Sequence, residues 1–84
     1  MNSVHKRSML LRTFNESLHN QHRDGTKAIK KAIALTAKDA GVLIKPEDIP
    51  DDCCQKIVHV SHDTIKRNDY VVSVLTRVGV PVCL

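Results

Sequence analysis

Apolar residues recur three and four positions apart along most of this chain, which is the spacing of amphipathic helices. The first such segment covers residues 3–23, and its apolar stripe consists of Leu10, Leu11, Phe14 and Leu18. Asp24 and Gly25 interrupt the pattern, because both residue types favour turns. The sequence therefore predicts a first helix over residues 3–23.

A second helix is predicted for residues 26–40, with Thr26 as its N-cap and Gly41 just after its C-terminus. Threonine can accept a backbone hydrogen bond at a helix start, and glycine readily adopts the left-handed conformation that ends many helices. The expected inward face consists of Ile29, Ala32, Ile33, Thr36, Ala37 and Ala40. Its many alanines allow neighbouring helices to approach closely.

Residues 42–44 are a short apolar run, which fits either one brief strand or a buried connector. The segment that follows, KPEDIPDD, contains two prolines, so only a loop or a single turn fits there. Pro50 followed by two aspartates is typical of a helix start. A third helix is therefore predicted for about residues 51–59.

The last predicted helix follows Ser61, its expected N-cap, and ends at Arg77 or Val78. Helical spacing is kept by Ile65, Val71, Val74, Leu75 and Val78. Gly79 is a second candidate for the left-handed position after a helix. Residues 70–78 also have high β-propensity, so a strand is the competing prediction there. The predicted fold class is mostly α, a small helical domain of about four helices.

Composition indicates one globular domain over residues 1–84, with 42% hydrophobic and 26% charged residues. Only Phe14 and Tyr70 are aromatic, so the core has to be aliphatic. No apolar run approaches a signal peptide or the roughly 18 residues of a membrane span, and we expect a cytoplasmic protein. A core this light favours a homo-oligomer, and the apolar stretch Val71–Leu84 is the predicted dimerisation surface.

Positive charge is concentrated in the first half of the chain. Residues 1–45 carry nine Lys or Arg and three Asp or Glu, a balance of +6, whereas residues 46–84 carry four and six, a balance of −2. The first half is therefore expected to attract an anionic partner, either nucleic acid or an acidic protein face.

Three cysteines and five histidines raise the question of metal binding. Cys53 and Cys54 are neighbours, which disfavours a disulfide between them, and reduced thiols are expected. Two His-x-x-His pairs occur, His19/His22 and His59/His62. Zinc needs three or four N or S ligands, and the spacing does not match a zinc finger. Surface or capping roles are predicted for the histidines, with no metal and no cofactor.

An enzymatic role is not expected. Cys53 or Cys54 with His59 would be a nucleophile and its base, but no further residues supply an oxyanion hole or a substrate pocket. The three glycines are too far apart for a phosphate-binding loop.

Residues 51–68 can be aligned with a helix-turn-helix unit, which needs apolar residues that lock two helices, a small residue where they cross, and a turn residue that tolerates positive φ. With His59 at the turn, the apolar positions fall on Cys54, Val58, Val60, Ile65 and Asn68. Asn68 does not fit, although a one-residue shift lets Tyr70 or Val71 replace it. Gln55 occupies the small-residue position, where it would crowd the crossing.

The segment VSHDTIKRN, residues 60–68, resembles the recognition helix of bacterial and phage helix-turn-helix regulators in its Val-Ser turn, its Thr-Ile pair and its two basic residues. This resemblance implies a small transcription regulator of phage or prophage type that binds double-stranded DNA. The residues it places at the major groove are Ser61, His62, Asp63, Lys66 and Arg67. Lys30 and Lys31 of the second helix are expected to add contacts to phosphates.

An alternative is a protein-binding regulator, an antirepressor or inhibitor that docks on a transcription repressor and does not bind DNA. The layout is similar to that of small phage regulatory proteins, which are short, basic and poor in tryptophan. The contact residues would then be Arg7, Leu11, Arg12, Phe14 and Leu18. The apolar members of this set are either core residues or an exposed docking stripe.

Overall fold

A computed structural model describes residues 3–21 and 25–82, and this part of the chain is built from helices. In chain order they are α1 (Ser3–His19), α2 (Thr26–Asp39), a single 3-10 turn (Pro46–Asp48), α3 (Asp51–His59) and α4 (Thr64–Arg77). The predicted mostly α fold of about four helices is confirmed. Residues 42–44 are a connector, and neither strand considered for the sequence forms in the described residues. No described helix has the length and apolar content needed to cross a bilayer.

Helix α2 is the centre of the fold, because α1, α3, α4 and the 3-10 turn all contact it. Its buried residues are Ala28, Ile29, Ala32, Ile33, Ala34, Thr36 and Ala37. Four of these seven are alanines, whose small side chains let neighbouring backbones approach closely. The buried hydroxyl of Thr36 donates to the Ala32 carbonyl at 2.7 Å, so this polar group is satisfied inside the core.

The other elements cover α2 with aliphatic side chains. The remaining buried core residues are Leu10, Leu11 and Phe14 of α1, Ile49, Cys54 and Ile57, Val71, Val74 and Leu75 of α4, and Val80 and Val82 of the C-terminal segment. The apolar stripe of α1 is therefore part of the core and is not an exposed docking stripe. Leu18 is partly buried against the same cluster.

The prediction that residues 71–84 form a dimerisation surface is wrong for the residues that the structure describes. Val80 and Val82 are buried in the chain's own core, beside the apolar face of α4. The physical reason is the turn at Gly79, which directs the segment after α4 back onto the core. Residues 83 and 84 lie outside the described part.

Gly41 and Gly79 were predicted to adopt the left-handed conformation just after a helix. This is confirmed, with φ of 90° at Gly41 and 99° at Gly79. After α2, the N–H of Gly41 donates to the Lys38 carbonyl at 3.0 Å and that of Val42 to the Ala37 carbonyl at 2.8 Å. After α4, the N–H groups of Gly79 and Val80 make the same pair of bonds to Thr76 and Leu75. Both helices thus end in a Schellman motif, which satisfies carbonyls that a helix end would otherwise leave open.

The end of α1 and the N-cap of α2 differ from the prediction. Thr26 is the first residue of α2, and Gly25 occupies the cap position without a side-chain hydrogen bond. Helix α1 ends at His19 rather than at residue 23, and Gln21 then donates from its side chain to the Ala28 carbonyl at 3.0 Å. That bond ties the segment after α1 to the first turn of α2. Residues 22–24, including His22, lie outside the described part.

Gly79→Ala should lower the free energy of unfolding by about 1–2 kcal/mol, because a residue with a Cβ atom is strained in the left-handed region. Among the described residues, no atom of the surrounding fold lies within 4 Å of the added Cβ, so the loss would report backbone strain and not a clash. Urea unfolding followed by circular dichroism measures it. Gly79→Asn is the matched control: asparagine tolerates this conformation better, and an equal loss for both variants would contradict the strain argument.

Ala32→Leu should destabilise the fold by about 1–3 kcal/mol through overpacking, because Ala32 is fully buried on the shared face of α2. Lys38→Leu places the same side chain on the exposed face of the same helix and should be close to neutral. Thermal unfolding of both variants makes the comparison. A similar decrease in melting temperature for the two would mean that the small-residue face is not what limits packing here.

Candidate functional site

Helices α3 and α4 contact each other and are joined by residues 60–63, which form a hydrogen-bonded turn. The N–H of Ser61 donates to the Val58 carbonyl at 3.2 Å, and that of Asp63 to the Val60 carbonyl at 2.9 Å. His59, predicted to be the turn residue with positive φ, is the last residue of α3, and positive φ occurs only at glycines among the described residues. The connection thus differs from the helix-turn-helix pattern that the sequence was aligned with.

The N-cap of α4 is Asp63, and the prediction of Ser61 as the cap is wrong. The Oδ1 atom of Asp63 accepts from the Lys66 N–H at 3.2 Å. The turn before the helix delays its start by two residues, which leaves Ser61 exposed in the connection. Because its carboxylate caps the helix, Asp63 stabilises α4 and is a weaker candidate for contact with a base.

The apolar positions of the alignment are only partly buried. Cys54 lies in the core, but Ile65 is 76% exposed and Val58 is 37% exposed, so these two do not lock the helices together. Helix α4 contacts the core through Val71, Val74 and Leu75 in its second half. Val71 therefore takes the buried place that Asn68 could not fill, and exposed Gln55 does not crowd a helix crossing.

As a result, the first turn of α4 and the connection before it project from the fold. We call this surface the α4 tip; its exposed residues are Ser61, His62, Thr64, Ile65 and Lys66. This surface exposes hydroxyl and imidazole groups, one large apolar side chain and one ammonium group. Within the described residues no carboxylate pairs with the Lys66 side chain.

Two long-range contacts fasten the α4 tip to α1. Arg67 donates from Nη2 to Asn15 Oδ1 at 2.8 Å, and Arg7 donates from Nη2 to Asp69 Oδ1 at 2.8 Å. Both bonds join residues more than 50 positions apart in sequence. Arg67, predicted to face DNA, is thus directed toward α1, and its role here is to position the helix start.

The two lysines of α2 predicted to contact DNA do not join the α4 tip. The Lys30 ammonium pairs with the Asp51 carboxylate at the start of α3, and that hydrogen bond raises the pKa of Lys30 above its usual value. Lys31 is exposed on the outer side of α2, whereas α4 contacts α2 from its buried side. The phosphate attraction expected from α2 therefore lies on a different face of the molecule.

A groove between α3 and α4 adds Lys56, a cation that was not among the residues predicted from the sequence. It has a volume of about 520 Å³ and is lined by Asp52, Gln55, Lys56, His59, Val60 and Tyr70. Lys56 is exposed here and gives the α4 side of the molecule a second ammonium group. Lys56 and His59 are three positions apart, which places them on one side of a helix. This spacing is the feature of the sequence from which Lys56 could have been predicted to share a surface with His59.

The cysteines and histidines do not assemble a reactive or metal-binding centre in the part of the chain described. Burial raises the pKa of the Cys54 thiol to about 11, so it stays protonated at neutral pH, and His59 points to solvent. Cys53 accepts a hydrogen bond from Arg77 Nη1 at 3.1 Å. No group of three or more His, Cys, Asp or Glu side chains is placed to hold a metal ion among the residues described.

The residues proposed for a protein partner are also dispersed. Leu11 and Phe14 are buried, and Arg7 is paired with Asp69. Arg12 is exposed, but it pairs with Glu16 along the same helix at 3.2 Å. This set therefore does not form one continuous surface for docking.

Comparison with known proteins finds no matching family model, no similar curated protein and no similar solved structure. The geometry of this chain is therefore the basis for any proposal about its function.

Asp63→Ala should lower the free energy of unfolding by about 1 kcal/mol through loss of the N-cap. Hydrogen exchange at the Lys66 amide should accelerate more than exchange in the second half of α4. Ser73→Ala is a matched control on the same helix, because it shortens an exposed polar side chain in the second half of α4, away from the cap. Unchanged exchange at Lys66 in Asp63→Ala would rule out the capping role.

Proposed function

We propose that this protein is a small DNA-binding regulator of transcription that acts without catalysis and inserts the α4 tip into the major groove. The observation that carries the proposal is a helix start that is exposed and yet firmly held. Asp63 caps it, and the contacts of Arg67 with Asn15 and of Arg7 with Asp69 fasten it to α1. A surface that reads bases needs this combination, because a loosely held helix would lose entropy on binding.

The side chains of the α4 tip suit base recognition. Ser61 and Thr64 can donate and accept hydrogen bonds, and Lys66 can donate to guanine or to phosphate. Ile65, at 76% exposure, is the largest apolar surface near this helix start. In a major groove it would contact thymine methyl groups, which favour apolar neighbours. Burial of Ile65 against DNA would thus recover the hydrophobic free energy that its exposure forgoes.

Electrostatics limits how strongly one copy can bind. Four cations of α3 and α4 carry no ion pair in the described residues. Arg67 and Arg77 donate hydrogen bonds to Asn15 and Cys53, which leaves the exposed Lys56 and Lys66 for phosphates. Two phosphate contacts give a slope of log K against log salt of about −1.8. Binding would therefore fall only about tenfold between ~50 and ~200 mM salt. The proposal accordingly includes a homodimer on two half-sites, which doubles these contacts.

Fluorescence anisotropy with a random-sequence labelled duplex tests the proposal. Lys66→Ala should weaken binding at low salt and reduce the salt slope by about 1, because one phosphate contact is lost per copy. Lys31→Ala is the matched control: it removes the same charge from the outer side of α2 and should leave the slope unchanged. Both residues are exposed, so neither change should unfold the protein.

Two outcomes would refute DNA binding through the α4 tip. The first is no detectable binding at ~50 mM salt and high micromolar protein, since nonspecific sites typically bind at about 10⁻⁴–10⁻⁶ M. The second is a slope that responds to Lys31→Ala and not to Lys66→Ala. That result would move DNA binding to α2.

A further inference from the structure

The side of the molecule away from α4 carries a second surface with a different chemistry. We call it the α1–α2 face; its members are Lys6, Met9, Lys27, Lys31, Leu35 and Lys38. It combines four lysines with two large apolar side chains, Met9 at 50% and Leu35 at 41% exposure. None of its lysines is in an ion pair within the described residues.

Three of the lysines form one row along α2. At 100° per residue, Lys27, Lys31 and Lys38 fall within an arc of about 40° and extend over roughly 16 Å of the helix. Leu35 is adjacent, on the same side of the row as Asp39, which lines a groove against α1. Three of the nine cations of residues 1–45 are thus displayed along a single direction, as a linear partner would require.

A groove between α1 and α2 lies next to this row. It has a volume of about 180 Å³ and is lined by Lys6, Met9, Leu10, Asp39 and Ala40. A cavity of about 150 Å³ holds a benzene molecule, so the groove has room for one apolar side chain. Asp39 is a carboxylate at the edge of this groove, and an acidic group placed directly over it would be repelled.

Charge and apolar exposure together select the class of partner. A nucleic-acid backbone would use the lysines but would gain nothing from Met9 and Leu35. An anionic membrane would need a broad apolar helix face to enter the lipid, whereas the apolar faces of α1 and α2 are buried in the core. An acidic helix with one apolar stripe satisfies both features, because its carboxylates can follow the lysine row while an apolar side chain enters the groove.

We propose that the α1–α2 face binds an acidic amphipathic helix of a partner protein. The proposal is independent of DNA binding by the α4 tip, because it uses different residues on a different side of the molecule. It also replaces the partner-binding residues expected from the sequence, of which Leu11 and Phe14 are buried.

The test uses a synthetic helical peptide with glutamates on its polar face and leucines along one stripe, titrated into the ¹⁵N-labelled protein and followed by NMR. Amide shifts should map to the α1–α2 face. Lys31→Glu with Lys38→Glu should weaken binding about tenfold or more, because like charges would then oppose the peptide. Leu35→Ser should weaken it about threefold, because Leu35 is exposed beside the lysine row. Asp39→Asn should strengthen it, because the carboxylate of Asp39 lines the groove.

Lys56→Glu with Lys66→Glu is the matched control. It makes the same change in net charge on the α3–α4 side and should keep peptide affinity within about twofold, while it abolishes the DNA binding proposed above. The two proposals can therefore fail separately.

Four results would overturn the docking proposal. They are equal binding of a scrambled peptide with the same composition, shifts that map to α3 and α4, no binding of the amphipathic peptide, and a stronger dependence on Lys31 and Lys38 for duplex DNA or phosphatidylserine vesicles than for the peptide. The first would leave only general attraction for polyanions. The last would assign the α1–α2 face to nucleic acid or to a lipid surface.

Discussion

The small-residue face of α2 is the constraint on which the rest of this structure depends. Four alanines and two isoleucines on a 14-residue helix are covered by α1, α3, α4 and the 3-10 turn. With only two aromatic residues in the chain, close approach of backbones has to supply the packing that large side chains supply elsewhere. The three other helices can share one central helix because alanine keeps their separation short. After α4, the segment from Gly79 to Val82 packs on the same core through the buried side chains of Val80 and Val82.

This arrangement decides which residues remain for function. The core buries the apolar stripe of α1, the apolar face of α4 and the side chains of Val80 and Val82. Most of the apolar residues that the sequence predicted for docking or dimerisation are therefore not exposed. Two of the surfaces that stay exposed combine cations with a large apolar side chain: the α4 tip, and the α1–α2 face with its lysine row. The bonds of Arg67 to Asn15 and of Arg7 to Asp69 fix the first of these relative to α1. Arg67 and Arg7, which were predicted from the sequence to contact DNA or a partner protein, thus hold α4 against α1.

Periodicity was sufficient to predict the helices, and the glycines at 41 and 79 predicted two of their ends, because both signals are local. The same information could not locate the cap of α4, since Ser61 and Asp63 are both good N-caps and the turn at residues 60–63 decides between them. Periodicity also shows which side of a helix is apolar without showing how far the neighbouring element extends. Ile65 therefore looked like a core residue, although the buried residues of α4 begin only at Val71. The bonds of Arg67 to Asn15 and of Arg7 to Asp69 join residues 52 and 62 positions apart, and no local sequence pattern predicts such contacts.

The two halves of the sequence carry opposite net charge, and they form different parts of the folded protein. The balance of +6 belongs to residues 1–45, whose described part forms α1, α2 and the connector, whereas the balance of −2 belongs to the part that contains α3 and α4. A DNA-reading α4 tip would consequently work with few cations, and its affinity would have to come from base contacts and from a second copy rather than from phosphate attraction. The lysine row would at the same time stay available while the tip is occupied. Because the two surfaces share no residue, a chain with this layout would not force its two proposed partners to compete for the same side chains.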